Sequence, residues 1–595
     1  MTDSSIMGDD KRRTSSESTA NEHDIEREAG AASQTQSAQR QGPAATSSAE
    51  KNVVETDAPG PAAASPDEPE AQRTKLENFL IIFALCLALF LAALDVTIIT
   101  TAIPTISAHF NSSLGYIWVG AAYLLGNSAF APMWGKISDI WGRKPVLLAA
   151  VGIFWIGSLL CGVSTSMGML IGARAIQGIG GGGTIVLPNI CISDLFSMRN
   201  RGMYFGILGM IWAIASALGP ILGGLFTSKV SWRWCFYINL PISGVGMIIL
   251  FFVLKLHNPR TPMREGLKAI DWTGSVLIIG GTLMLLLGLE FGGVTYPWAS
   301  PTVICLIVFG IVTIGLFVIN EAKVAKYPVM PVRLFKSRNS VASYAFGFFH
   351  AFTFMSGSYW LPLYFQGVLR ATSLLSGVYL LPFVVSLSLV SAATGVIIKK
   401  TGKYKILIVG GMAIATLGFG LFIDLSPQHD WAKIIIFQIV AGIGIGPNFQ
   451  SPLIALQTNV EPSDIGSATS SFAFLRQLGT SVSVVIGGVI FNNEMQKQQG
   501  HLASVLQEPG LANRLSGSNA AGNVQLVASL DGPDGEIARQ AYWNALQTMY
   551  IVYTVFAAVG LCIAFGIKQV NLSKEHKEHK TGLTTLKGRD ASESK

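Results

Sequence analysis

Charge is scarce in this chain. Charged side chains make up 13% of its 595 residues, against about a quarter in an ordinary soluble protein. Cysteine is scarcer still: Cys86, Cys161, Cys191, Cys235, Cys305 and Cys562 are the whole supply. All lie in or beside apolar runs and none forms a CxxC pair, which argues against a disulfide framework or a zinc site and leaves them as small core hydrophobes. There is no GxxxxGK[ST] loop, hence no built-in nucleotide engine, and no polar domain large enough to hold one. No short apolar h-region opens the chain, so the first span is expected to act as the membrane-targeting signal. What is present is 50% hydrophobic residues and a mean hydropathy of +0.47. Runs such as 79–103 and 276–289 carry at most one charge each, which reads as lipid solvent. Soluble enzymes and nucleic-acid binders are thereby set aside, and no metal or cofactor is expected.

A helix needs about 20 apolar residues to cross the hydrocarbon. Fourteen segments qualify: 79–103, 117–135, 146–164, 168–190, 204–226, 236–255, 272–292, 301–319, 340–362, 374–398, 406–424, 432–456, 467–491 and 545–567. An even count puts both ends on one side. With the N-terminus in the cytoplasm, eighteen Lys and Arg fall in inside loops and four (Lys229, Arg233, Arg370 and Lys433) in short outside loops. That bias predicts two cytoplasmic termini and accounts for the basic net charge of +7. Residues 1–75 are rich in Ser, Ala, Pro, Glu and Asp and carry a net charge of −6, leaving +13 for the rest. They lack the apolar surface to fold and are expected to be disordered, as is the polar, basic tail 568–595. Asn111-Ser112-Ser113, in the first outside loop, is a candidate glycosylation acceptor. The polar segment 492–544 is expected to be a loose outside loop.

Shifting the sequence by 264 positions aligns Gly178, Gly180 and Gly182 with Gly442, Gly444 and Gly446. Pro188 then meets Pro452, Gly202 meets Gly466, and Gly223-Gly224 meet Gly487-Gly488. The fold class this implies is an all-α membrane protein. Two related six-helix bundles (76–258 and 339–567) are joined by a linker, 259–338, that carries two extra spans. Duplicated helical halves that rock about a central site are a transporter architecture.

Mechanism enters through polar groups in the spans. Gly135-Lys136-Ile137-Ser138-Asp139-Ile140-Trp141-Gly142-Arg143-Lys144 forms the short loop between spans 2 and 3. Gly135 permits close helix approach and Gly142 a tight turn. Asp139 and Arg143 are placed to form a charge pair, either as a breakable cytoplasmic latch or as a simple topology signal. Asp95 in span 1 and Arg174 in span 4 are intramembrane charges and therefore functional candidates. Counted at 1.5 Å per residue, both lie about 9–12 Å below the outer membrane face, so they could share one layer. Burial and a guanidinium push a carboxylate's proton affinity in opposite directions. The pair is thus either a proton site that responds to access state or a permanently ionised lock. In span 5, Gly206 and Gly219-Pro220-Ile221-Leu222-Gly223-Gly224 suit a close-packed hinge or tight packing alone. Gln177, Trp212, Tyr359, Gln438, Gln450 and Arg476 are candidates to line a substrate cavity. Gln438 stands at the repeat position of Arg174 and Arg476 at that of Trp212, so the halves differ in charge. His350 reads as a satisfied buried histidine.

At these residues the chain resembles the major facilitator superfamily, and within it the fourteen-span drug:proton antiporter family of fungal type. The first-span motif is Leu94-Asp95-x-Thr97-Ile98 through Ala102-Ile103-Pro104. The Gly135–Lys144 loop, Arg174-x2-Gln177-Gly178, the span 5 glycines with Pro220, and Trp232-Arg233-Trp234-x-Phe236-Tyr237-Ile238-Asn239-Leu240-Pro241 complete the match. Ala215 departs from it, standing where the span 5 motif usually has Gly. Lys399 departs too, replacing in the second half the acid that Asp139 supplies in the first. The resemblance implies proton-driven efflux of amphipathic compounds across the plasma membrane. By carry-over, Asp139 and Arg143 would stabilise the outward-open state, Arg174 would couple to protonation, and Asp95 would be essential. The expected partners are a small-molecule substrate, protons and the bilayer, with a monomeric carrier. Two alternatives stay open: vacuolar uptake of basic amino acids, which needs more cavity acids than the spans supply, and a non-transporting nutrient sensor.

Overall fold

A computed structural model describes residues 74–574, apart from 111–112, 257–258, 260, 294–295, 509, 518–519 and 521–522, together with 582. Nearly all of the expected N-terminal tail, most of the C-terminal tail and the acceptor Asn111 lie outside the described residues. Among the described residues there is no strand. Fourteen long helices run in the order α1 (Lys75–His109), α2 (Ser113–Trp141), α3 (Arg143–Gly162), α4 (Met167–Leu195) and α5 (Met198–Lys229). Next come α6 (Trp234–Val253), α7 (Trp272–Phe291), α8 (Pro301–Lys323), α9 (Arg338–Leu363) and α10 (Leu374–Thr401). The last are α11 (Lys405–Leu421), α12 (Trp431–Gln457), α13 (Ile465–Val505) and α14 (Gly532–Phe565).

Local sequence sets the helix ends. Ser166, Asp271, Ser300 and Asp430 each accept a hydrogen bond from the backbone N–H three residues on, the usual N-cap arrangement. Gly142, at φ +92°, makes the break between α2 and α3, and Gly402, at φ +72°, closes α10.

Twelve of the helices are long and apolar enough to cross a membrane. The expected count was fourteen; α2 and α9 fall outside the twelve because they are the polar ones. They carry Asn127, Ser128, Lys136 and Asp139, and Asn339, Ser343, His350 and Thr353, all buried against other helices. Polar groups turned toward protein instead of lipid are what a helix at the centre of a bundle carries.

The helices pack as two groups. In the first, α4 lies against α2 and α3, α1 against α5 and α6, and α3 against α6. In the second, α9 lies against α13 and α14, and α11 against α12 and α14. Two seams join the groups, α5 on α10 and α2 on α13, while α7 and α8 form a pair beside the second seam. Apolar helices have no hydrophobic drive to associate in lipid, so close backbone approach does that work. A methyl group placed on Gly178 would sit 2.9 Å from the Tyr123 Cα of α2. One placed on Gly206 would sit 2.9 Å from the Gly395 Cα across the seam.

The segment 492–544 is not the loose loop expected. α13 continues through Val505, short helices follow at Leu511–Arg514 and Val524–Ser529, and α14 begins at Gly532. Met495, Leu502, Leu511, Leu515, Val527 and Trp543 are buried there, and Arg370 pairs with Asp531 at 2.7 Å. The polar residues between these apolar positions hide the pattern in the linear sequence.

Gly178→Val forces a β-branched side chain into backbone with nowhere to shift, an overpacking cost of about 1–3 kcal/mol or more. Gly152→Val, which meets nothing within 4 Å, is the control. The expected outcome in detergent is a clearly lowered thermal midpoint for the first variant and an unchanged one for the second.

Candidate functional site

Five helices of the first group converge on one carboxylate. Asp95 of α1 is fully buried. Its Oδ2 accepts a hydrogen bond from Arg174 Nη1 of α4. Its Oδ1 accepts from Gln177 Nε2 at 2.8 Å and from Asn239 Nδ2 of α6 at 3.0 Å. Arg174 is held from two further sides. Its Nε donates to the Val119 carbonyl at 2.9 Å and its Nη1 to Gln177 Oε1 at 2.7 Å. Its guanidinium lies 4.5 Å from the Tyr123 ring centre of α2, within cation–π range. Ser158 of α3 accepts from Gln177 at 2.8 Å and closes the network. The equal depth expected from helix rise therefore corresponds to direct contact. Gln177, expected in a substrate cavity, belongs to this network instead. Asn239 and Ser158 are members that sequence reasoning had not assigned, although Asn239 sits inside the Trp232–Pro241 motif.

The expected latch residues also meet. Arg143 Nη1 lies 2.5 Å from Asp139 Oδ1, and Arg143 Nε lies 2.7 Å from Asp194 Oδ2 at the end of α4. Asp194 had not been foreseen, and it makes the charge cluster a triad. Lys144 instead reaches over the Phe251 ring at 5.5 Å. The Asp139 carboxylate presses on the first turn of α13, where a methyl on Gly466 would sit 2.9 Å from its Oδ2. Gly135 permits this approach, since its own methyl would sit 2.7 Å from the Gly466 carbonyl. A helix N-terminus carries partial positive charge, so an acid there is favoured. Arg143 Nη2 and Asp194 Oδ1 are sealed from solvent without hydrogen-bond partners. Each such atom costs about 1–3 kcal/mol.

The other seam is closed with opposite polarity. Arg199 of α5 donates to the carbonyls of Lys399, at 2.8 Å, and Lys400 at the C-terminal end of α10. A cation there meets the negative end of a helix, so Lys399 contributes its backbone where its side chain replaces the acid. Beside it, Arg201 donates to Gln457 Oε1 at 3.2 Å, and Gln457 Nε2 donates to Ser193 Oγ at 2.8 Å. Ser193 and Gln457 are 264 positions apart, the offset of the repeat, so equivalent positions of the two halves touch.

The span 5 residues pack α5 on α1. Thr97 Oγ1 donates to the Ala215 carbonyl at 3.3 Å and Thr101 Oγ1 to that of Pro220 at 3.4 Å. A methyl on Gly219 would lie 2.8 Å from Ile98 N, and one on Gly223 would lie 3.1 Å from Ile98 C. Gly224 meets nothing within 4 Å.

The remaining cavity candidates divide. Trp212 of α5 and Arg476 of α13 come together across the two groups, 5.9 Å from ring centre to guanidinium. Gln450 borders the seam near Gly206 and Ser391. Gln438 donates to Ile434 O at 2.9 Å within α12, and its Oε1 is sealed and unpartnered. Tyr359 is 43% exposed and pairs with Trp360 rather than with Trp212. His350 lies 3.2 Å from the Ile445 carbonyl, as a satisfied buried histidine should. Among the described residues, no three His, Cys, Asp or Glu side chains converge on one point.

The family and the relatives that this helical bundle matches make it a membrane transporter, not an enzyme. The Major Facilitator Superfamily model matches residues 85–484, and the chain belongs to that family. It is 52% identical over 509 residues to the efflux pump dotC of Dothistroma septosporum, covering 85% of this chain and 87% of that one. It is 49% identical to the MFS-type transporter ppz2 of Metarhizium majus, with 86% and 88% covered. It is 35% identical to the efflux pump FUS6 of Gibberella moniliformis, with 88% and 93% covered.

Asn239→Ala removes one of the two amide donors on Asp95 Oδ1. A hydrogen bond to a charged group contributes about 1.5–3 kcal/mol, so the thermal midpoint of the purified carrier should fall. Arg199→Ala, at the exposed seam contact, should leave that midpoint within error but speed labelling of a cysteine placed at Gln457.

Proposed function

We propose that this chain is a proton-coupled exporter of amphipathic organic compounds that works by alternating access. The observation that carries the reading is the Asp95–Arg174 pair, sealed among five helices and ringed by Gln177, Asn239 and Ser158. In the arrangement described, both oxygens of Asp95 accept hydrogen bonds. Protonation removes the charge that balances Arg174 and loosens the tie between α1 and α4. Because α1 packs on α5, and α5 carries the seam to α10, a change at Asp95 reaches the seam through packed helices. Asp139 on α13 and Arg199 on α10 hold the end with the basic loops shut, and their release would open it. Gly206, Gly219, Pro220, Gly223 and Gly224 serve as the flexing part of α5. Export as the direction is supported by the relatives named as efflux pumps. The basic-loop bias supports fourteen crossings with both termini cytoplasmic, and the plasma membrane is the site we assign. The units that rock are 76–258 and 339–567, within one monomer.

The test is flux in proteoliposomes. Wild-type protein should accumulate a substrate against its gradient when a pH gradient is imposed. Asp95→Asn should lose that accumulation while retaining exchange of labelled for unlabelled substrate at equal pH. The retained exchange shows that the variant is folded. Unimpaired pH-driven accumulation by Asp95→Asn would overturn the coupling assignment.

A further inference from the structure

The geometry points to Arg476 as an anion-recognition group that selects planar aromatic compounds carrying a carboxylate or an ionised phenol. This inference rests on the reading that the space between the two halves receives the cargo, and it deepens that reading by naming the cargo's class.

Arg476 differs from Arg143 and Arg174, the buried arginines that hold carboxylate partners. Arg143 has two carboxylates and Arg174 has one. Arg476 forms no ion pair among the described residues, and its one hydrogen bond runs from Nη1 to the Phe449 carbonyl at 3.3 Å. Among the described residues its Nε and Nη2 have no partner, yet neither is among the sealed atoms. Both donors are therefore open to whatever occupies the neighbouring space. A guanidinium held at membrane depth without a counter-charge costs at least a few kcal/mol, and a ligand that supplies the charge recovers it. The guanidinium fork also fits a carboxylate with two parallel hydrogen bonds.

The surroundings specify the rest of the ligand. The guanidinium lies 4.2 Å from the Phe449 ring centre on α12 and 5.9 Å from that of Trp212 on α5. Trp212 and Phe449 are 6.3 Å apart, and Phe354 and His350 lie edge-on to Phe449 at 5.3 and 5.8 Å. This cluster joins the first group of helices to the second, so a ligand placed in it touches both halves at once. A flat ring can stack on Trp212, the partly exposed ring of the cluster, while its acid group reaches the open nitrogens of Arg476 and the buried Phe449 ring backs the guanidinium. Asp95, the intramembrane acid on α1, is engaged with Arg174, Gln177 and Asn239 and supplies no counter-charge to Arg476.

The experiment uses the purified full chain and three probes of one ring system: 9-anthracenecarboxylate, 9-anthracenemethanol and 9-(aminomethyl)anthracene. Binding is read by fluorescence titration against empty micelles. Wild-type protein should bind the carboxylate about tenfold more tightly than the alcohol, the size of one charge-assisted contact, and the amine most weakly. Arg476→Gln should remove that preference by weakening the carboxylate about tenfold, with the alcohol unchanged. Arg476→Lys, a point charge without the fork, should fall between. Retained alcohol binding shows that the variant is folded. Equal binding of all three probes, binding of none, or an Arg476→Gln variant that weakens all alike would overturn the inference. If any probe is driven by a pH gradient while the carboxylate preference is absent, export stands and anion selection falls. If the preference is present and none is driven, export falls and anion selection stands.

Discussion

A charge buried among membrane helices must find its counter-charge inside the protein. Asp95 and Arg174 obey that constraint, and much of the first group of helices is arranged around it. The carboxylate takes three donors from two helices, and the guanidinium takes a carbonyl from a third and an aromatic face from the same helix. Removing one partner of a buried pair typically costs about 3–5 kcal/mol, because the other charge is left stranded. The pair is therefore the element that orients α1, α2, α3, α4 and α6 with respect to one another.

The seams follow the same electrostatic logic with helix ends in place of side chains. Asp139 rests on the positive end of α13, and Arg199 grips the negative end of α10. An acid and a base from the first group thus address the two ends of helices in the second. This explains how the second half of a duplicated chain can lose the acid of its own loop, with Lys399 in its place, and still take part in closure. A helix-end contact contributes roughly 0.3–1 kcal/mol when exposed, as at Arg199, and more when buried, as at Asp139.

Much of this was legible in the amino-acid order. Span positions follow from runs of apolar residues, and the depth of Asp95 and Arg174 follows from counting along two helices of opposite direction. The Gly135–Lys144 loop announces Asp139 and Arg143 by spacing alone. Other features were illegible for specific reasons. Asp194 is a lone acid 51 positions from Arg143, and no local pattern links them. Asn239 lies 144 positions from Asp95. Gln177 fits the description of a cavity residue equally well, and only its neighbours, Asp95 and Ser158, decide otherwise. The order in 492–544 was hidden because its buried apolar residues are spread singly among polar ones.

Lipid as the solvent, helix as the element, the duplication and the charges requiring partners all follow from the linear chain, since each depends on composition or on spacing within one helix. Which partner each charge takes, which polar helices lie at the centre, and that Arg476 faces Trp212 with two donors unspent were decided by tertiary packing. Those outcomes depend on how helices hundreds of residues apart rotate about their own axes, a quantity set by backbone contacts at positions such as Gly178 and Gly206 and by no single stretch of sequence.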